Sequence, residues 1–112
     1  MSGFNLPKIM TSYNANNFIL KFTDDKDILY DGIIFQSYNT IMMVICHDGI
    51  YFNNNIDCYS NTTIKYLHRC LKDVKYCINS ANQNIVDEIL LSKNKKQAIL
   101  NYILDTNKYI ND

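Results

Sequence analysis

Only a few side chains in this sequence are of types that do chemistry, and their spacing decides which chemistry is open to them. Asp24, Asp25 and Asp27 place three carboxylates in one polar stretch. A hydrolytic acid pair needs one carboxyl in an apolar pocket, whereas residues 23–27 read as a solvated turn. His47 adjoins Cys46, and His68 lies two residues from Cys70. A metal set of Cys46, Cys58, His68 and Cys70 can be drawn. However, there is no C-x-x-C, and the cysteine spacings of 12, 12 and 7 fit no zinc finger or ribbon. A Ser60 or Cys58 nucleophile beside His68 is the remaining hydrolytic arrangement, but Ser60 stands where a helix needs a cap. With no motif that carries a mechanism, the chain reads as a binding protein and not an enzyme, with no cofactor and no metal.

The four cysteines read as reduced, buried structural thiols, since the first residues show no basic patch followed by an apolar stretch. Cys70 and Cys77 are seven apart, on one helical face, where free Cys acts as a small hydrophobe. No apolar run reaches the length of a membrane span. The expected setting is the cytoplasm of a host cell, with no membrane partner.

Lys65, Arg69, Lys72 and Lys75 share one flank of a helical pattern, with Tyr66 and Tyr76 near and a second basic cluster at Lys93, Lys95 and Lys96. Such a stripe can track phosphates while rings stack on bases. Eleven basic residues balance eleven acidic ones, though. A neutral chain lacks the field of a non-specific nucleic-acid binder, so a solvated helix face fits the stripe better. Nucleic-acid binding is the second reading, after protein binding.

Nine Tyr and five Phe in 112 residues favour protein contact, because Tyr offers large contact area at low entropic cost. The candidate contact residues are Tyr38, Asn39, Tyr51, Tyr59 and Tyr66. Exposed edge strands offer a second docking mode by strand addition. The expected partner is a host protein, with a homodimer as a further arrangement.

The elements that must position these residues follow from periodicity and turn signals. Residues 1–15 read as an extended arm or a short first turn. Residues 17–22 are rich in β-formers. Asp31-Gly32 between residues 28–30 and 33–35 suggests a tight hairpin, or else a bulge in a longer strand. Thr40 to Cys46 reads as a central strand buried on both faces, returning as residues 50–52 after a turn at His47-Asp48-Gly49. Ser60 then caps a helix from about Asn61 to about Cys77, with Ile64, Leu67, Leu71, Val74 and Ile78 at helical spacing. Ser80 or Asn82 caps a second helix, with Ile85, Ile89 and Leu90 inward. A last helix carries Ala98, Ile99, Tyr102, Ile103 and Ile110. Strands first and helices after give one α+β domain over residues 1–112: an antiparallel sheet of three to five strands, followed by two or three helices packed on one face.

Two polar blocks bracket the central hairpin: Ser37-Tyr38-Asn39-Thr40, and Tyr59-Ser60-Asn61-Thr62-Thr63. They read as a hydrogen-bonded lock on the strand-to-helix corner, with a small anion site at the helix N-terminus as the alternative. Their order, S-Y-N-T, an apolar strand, an aromatic return strand, then Y-S-x-T-T, resembles small bacteriophage proteins that carry a domain of unknown function. Those proteins have S-Y-x-T followed by Y-S-x-T-T-x-x-H. The resemblance spans about residues 33–71, and the histidine of the pattern falls on Tyr66, with His68 two residues later. It implies a phage origin and no particular activity. Composition agrees: 16 Asn, 16 Ile and ten Lys, residues of A/T-rich codons, against one Arg and no Trp read as a low-GC genome, that of a phage of a low-GC bacterium, a large DNA virus, such a bacterium itself or an A/T-rich parasite. A small phage or viral accessory protein that inhibits a host factor, such as a restriction or CRISPR effector, is the expected role.

Overall fold

The computed structural model describes residues 7–111. Five strands come first: β1 (Lys8–Ser12), β2 (Asn17–Phe22), β3 (Gly32–Ser37), β4 (Thr40–Cys46) and β5 (Gly49–Asn53). A 3₁₀ turn at Ile56–Cys58 leads into α1 (Asn61–Val74), α2 (Ser80–Leu91) and α3 (Lys95–Thr106), and the short β6 (Tyr109–Ile110) closes the order. The sheet runs β1-β2-β3-β4-β5-β6. All neighbours are antiparallel except β5 and β6. This is the α+β order that the sequence implies. The sheet reaches six strands because both flanks of the chain add an edge strand. Residues 1–15, expected as an arm, lay Lys8–Ser12 into the sheet as β1; residues 1–6 lie outside the described residues.

Strand alternation sorts the sheet into two faces. Ile19, Phe35, Met43 and Phe52 are paired across four strands and fully buried under the helices, and Ile33, Ile45 and Ile50 form the next such row. Leu67, Leu71, Val74, Val86, Ile89 and Ile99 fill the core from the helical side. The run Thr40–Cys46 is not buried on both faces as expected. Phe35 pairs Met43 but Gln36 pairs Ile41, so Met42 is an extra, bulged residue. The bulge buries Met42 and Met43 in succession and leaves Ile41 exposed.

Asp31-Gly32 is not a hairpin turn. Gly32 opens β3 opposite Phe22, and a Cβ there would stand 2.1 Å from the Phe22 ring. The glycine makes room for the aromatic ring instead of supplying a turn conformation. Two-residue turns do occur at Tyr38-Asn39, where Ser37 pairs Thr40, and at His47-Asp48, where Cys46 pairs Gly49. Ser60 caps α1 by accepting from the Thr63 amide at 3.2 Å. The α-helix ends at Val74 and continues to Cys77 as a 3₁₀ turn. The α2 cap is Asn79, which accepts from the Asn82 amide, and neither Ser80 nor Asn82 has that role. Ile110 lies in β6 and not in the last helix, because Asn107 takes the left-handed φ of 57° that ends α3.

Candidate functional site

Because all three helices cover one face, the other face of the sheet carries no helical layer among the described residues. The register places Ile9, Leu20, Ile34, Val44 and Tyr51 in one row across five strands on that face. Strands stand about 4.8 Å apart, so the row spans roughly 19 Å. Phe18 and Ile41 extend the apolar surface along the next row, with Gln36 between them. Leu20, Ile34 and Val44 are half-buried by one another, while Ile9 is 66% exposed at the β1 edge.

Tyr38 and Asn39 form the β3–β4 turn at one end of the sheet. Tyr38 is 63% exposed and holds a φ of 55°. A bulky side chain pays a steric cost in that region. Its amide donates to the Asn16 carbonyl at 2.5 Å, which joins this turn to the β1–β2 turn. Tyr51 lies on the helix-free face toward the opposite end. Its hydroxyl donates to Asp48 at 2.9 Å, and the bond to that carboxylate, with burial second, pushes its pKa up to about 12. Tyr59 and Tyr66 are on the helical side, packed partly against the core. The five candidate residues therefore form no single patch: Tyr51 belongs to the bare face, Tyr38 and Asn39 to its rim, and Tyr59 and Tyr66 to neither.

The basic stripe is partly engaged within the chain. Arg69 stands 4.6 Å from the centre of the Tyr13 ring, and Tyr13 stacks on Tyr66 with centroids 5.8 Å apart. Burial, reinforced by a hydrogen bond to Asp73, raises the Tyr13 pKa. Lys75 pairs with Asp87 at 2.5 Å. Lys65 and Lys72 project from α1 as exposed side chains. His68 is partly buried on α1. Desolvation, then the charges of Lys95 and Lys72, lower its pKa.

The second polar block builds the α1 cap. The described hydrogen bonds of Ser60 and Thr63 stay inside the α1 cap, at 3.2 Å. At the corner Asn53 is fully buried, and its amide donates to the Ile41 carbonyl at 3.0 Å while its oxygen accepts from the Asn55 amide at 2.8 Å. In the sequence it is the first of the three Asn at 53–55 that follow Phe52, a run that marks the end of a strand.

A second region, which sequence reasoning missed, is the tip of the β4–β5 hairpin. Asp24, from the loop after β2, accepts from the His47 amide at 2.8 Å and contacts His47 Nδ1 at 2.9 Å. Burial acts to raise the Asp24 pKa, but these bonds and one from Lys26 outweigh it and lower it. The Cys46 thiol donates to Asp48 at 2.9 Å; burial and then that bond push its pKa up to about 11. Beside the tip, a groove of about 630 Å3 opens between α2, α3 and the hairpin, with Ile85 and Ile89 as apolar lining and Glu88 and Asp105 among its polar lining. The cysteines are not uniformly buried: Cys70 is, Cys46 is half-buried, and Cys58 and Cys77 are exposed. Cys58, His68 and Cys70 do not join Cys46 in any cluster of metal donors among the described residues.

No helix among the described residues is long and apolar enough to cross a membrane. No curated protein and no solved structure matches the chain. A family model matches residues 4–88, a span that takes in β1 through β5, α1 and most of α2. On that match over most of its length, the chain belongs to the family of unknown function DUF8033.

Proposed function

We propose that this protein acts by binding another protein through the helix-free face of its sheet. The observation that carries the reading is the row Ile9, Leu20, Ile34, Val44 and Tyr51, five apolar or aromatic side chains in register with no helix among the described residues over them. A contiguous, partly exposed apolar surface marks interaction sites. Tyr38, Asn39 and β1, the edge strand of the sheet, adjoin this face and extend the contact at its rim. The A/T-rich codon skew and the phage-type polar motifs support an accessory protein of a phage or virus in the host cytoplasm. For such a protein, the role is inhibition of a host factor such as a defence effector. The alternative, a nucleic-acid-binding accessory protein, draws less support. Arg69 and Lys75 are already engaged by Tyr13 and Asp87, and the chain carries no net charge.

The test is a pull-down from the lysate of a low-GC bacterium with mass spectrometry, using wild type, Ile34→Lys and a variant with Lys65, Arg69, Lys72 and Lys75 all changed to Gln. A partner retained by the Gln variant and lost by the folded Ile34→Lys variant is expected. Labelled DNA and RNA are titrated in parallel by fluorescence anisotropy at low and moderate salt. Salt-sensitive binding that the Gln variant abolishes overturns the reading in favour of nucleic acid.

A further inference from the structure

The donors at the hairpin tip have no part in the binding surface. Cys46 ends β4, His47 begins the turn, and Asp24 arrives from the β2–β3 loop at the same end of the sheet. One donor atom from each, a thiol sulfur, a ring nitrogen and a carboxylate oxygen, lies within 4.8 Å of the other two. Among the described residues the basic side chain in contact with Asp24 is His47, at 2.9 Å, and no Lys or Arg pairs with it there. Asp48 adds a second carboxylate, with Oδ1 at 2.9 Å from Cys46 Sγ.

The donor types select the ion. Thiolate and imidazole exclude the hard cations, which take oxygen ligands, and suit zinc-class transition metals. In a tetrahedral site with bonds of about 2.0–2.3 Å, donors stand roughly 3.3–3.8 Å apart. A group already inside 4.8 Å closes on an ion by small side-chain rotations. The main chain beneath is held independently. Asn82 donates to the Cys46 carbonyl at 2.9 Å and Asn79 to that of His47 at 3.4 Å. The Lys26 amide holds the other oxygen of Asp24 at 3.1 Å, and Tyr51 holds the other oxygen of Asp48 at 2.9 Å. Hydrogen bonds of this outer kind orient ligands. His47 is exposed, which leaves a path for entry.

We infer that Asp24, Cys46 and His47 form a binding site for one zinc-class divalent ion, with Asp48 or a water completing four-coordination. On binding, Cys46 releases its thiol proton to solvent and His47 presents a ring-nitrogen lone pair. The hydrogen bonds His47–Asp24 and Cys46–Asp48 give way to bonds to the ion. The ion clips the β2–β3 loop to the hairpin tip across 22 residues of chain (from 24 to 46).

Cobalt(II) is the probe, titrated into the full chain carrying Cys58→Ser and Cys77→Ser, which removes the two exposed thiols outside the site. The expected result is uptake of one equivalent, with thiolate-to-cobalt charge-transfer absorption and the visible bands of four-coordinate cobalt, all displaced by zinc. Adding Cys46→Ser abolishes the charge-transfer band, and Asp24→Asn weakens affinity at least about tenfold. Circular dichroism checks that both variants are folded, and Asp24→Asn, nearly isosteric, carries the test if Cys46→Ser is not. No uptake by the folded parent overturns the inference, as does uptake without the charge-transfer band or a band that survives Cys46→Ser.

Discussion

The hydroxyl of Tyr102, on α3, donates to the Ile50 carbonyl at 2.8 Å and accepts from the Ile50 amide at 3.3 Å. One side chain thus serves both backbone groups that β5 turns outward where β6 does not reach, since β6 pairs only Phe52 and Asn53. Tyr102→Phe keeps the ring, including its edge contact with Phe52 at 5.7 Å, but leaves both groups without that partner. We expect a loss of about 1–3 kcal/mol in urea unfolding. A change within about 0.5 kcal/mol would show that water replaces the hydroxyl at no cost.

Asn53 makes a second such prediction. It is fully buried and ties β4 to the chain beyond β5 through Ile41 and Asn55. Asn53→Ala is expected to cost about 1–3 kcal/mol, because it removes both hydrogen bonds that this buried amide makes. Asn53→Asp keeps the acceptor but buries a charge, and is expected to cost more. Denaturant midpoints of the two variants rank them, and the reverse order would refute this account.

Gly32 and Phe22 are coupled. A methyl at Gly32 meets the Phe22 ring, so the ring must swing off and lose its cover. Gly32→Ala is expected to cost about 1 kcal/mol. In a Phe22→Ala background the same substitution is expected to be close to neutral, which a double-mutant cycle reads directly.

The fold was legible where the signal was local. Ser60 as a cap, the spacing of Ile64 through Val74 and the Thr40–Phe52 hairpin needed only neighbouring residues, and each has its expected place. Gly32 was misread because its role depends on Phe22, ten residues away across a strand pair. Ile110 was assigned to a helix because apolar spacing continues past Asn107, whose left-handed conformation the spacing does not encode. The bare face was implicit in the alternation of β2 and β3 but not in β4, where the bulge at Met42 hides it. At the hairpin tip, Cys46 and His47 were visible as neighbours. Asp24 could not be assigned to them until the sheet brought two loops to one end.

His68 gives the fold a pH dependence. Burial and the charges of Lys95 and Lys72 lower its pKa below the ordinary 6.5. The unfolded chain therefore takes up a proton at a pH where the folded chain does not. Stability is expected to fall as pH drops below about 6.5, and to stop falling once the folded form is protonated too. His68→Gln is expected to flatten that part of the profile. Lys72→Gln with Lys95→Gln is expected to move the NMR titration midpoint of His68 upward; an unmoved midpoint would remove the electrostatic part of the explanation.

The parallel pairing of β5 with β6 has a kinetic consequence. Phe52 meets Tyr109 and Asn53 meets Ile110 only across a connection that contains all three helices. Closing so long a loop before its contents are packed gains one short ladder against the closure entropy, so β6 is expected to join after the helical layer has docked. The Asn54 amide, which donates to the Ile110 carbonyl at 2.8 Å, is therefore a reporter of the final assembly step. Its hydrogen exchange measures how often the sheet opens at that edge while the five antiparallel strands stay intact.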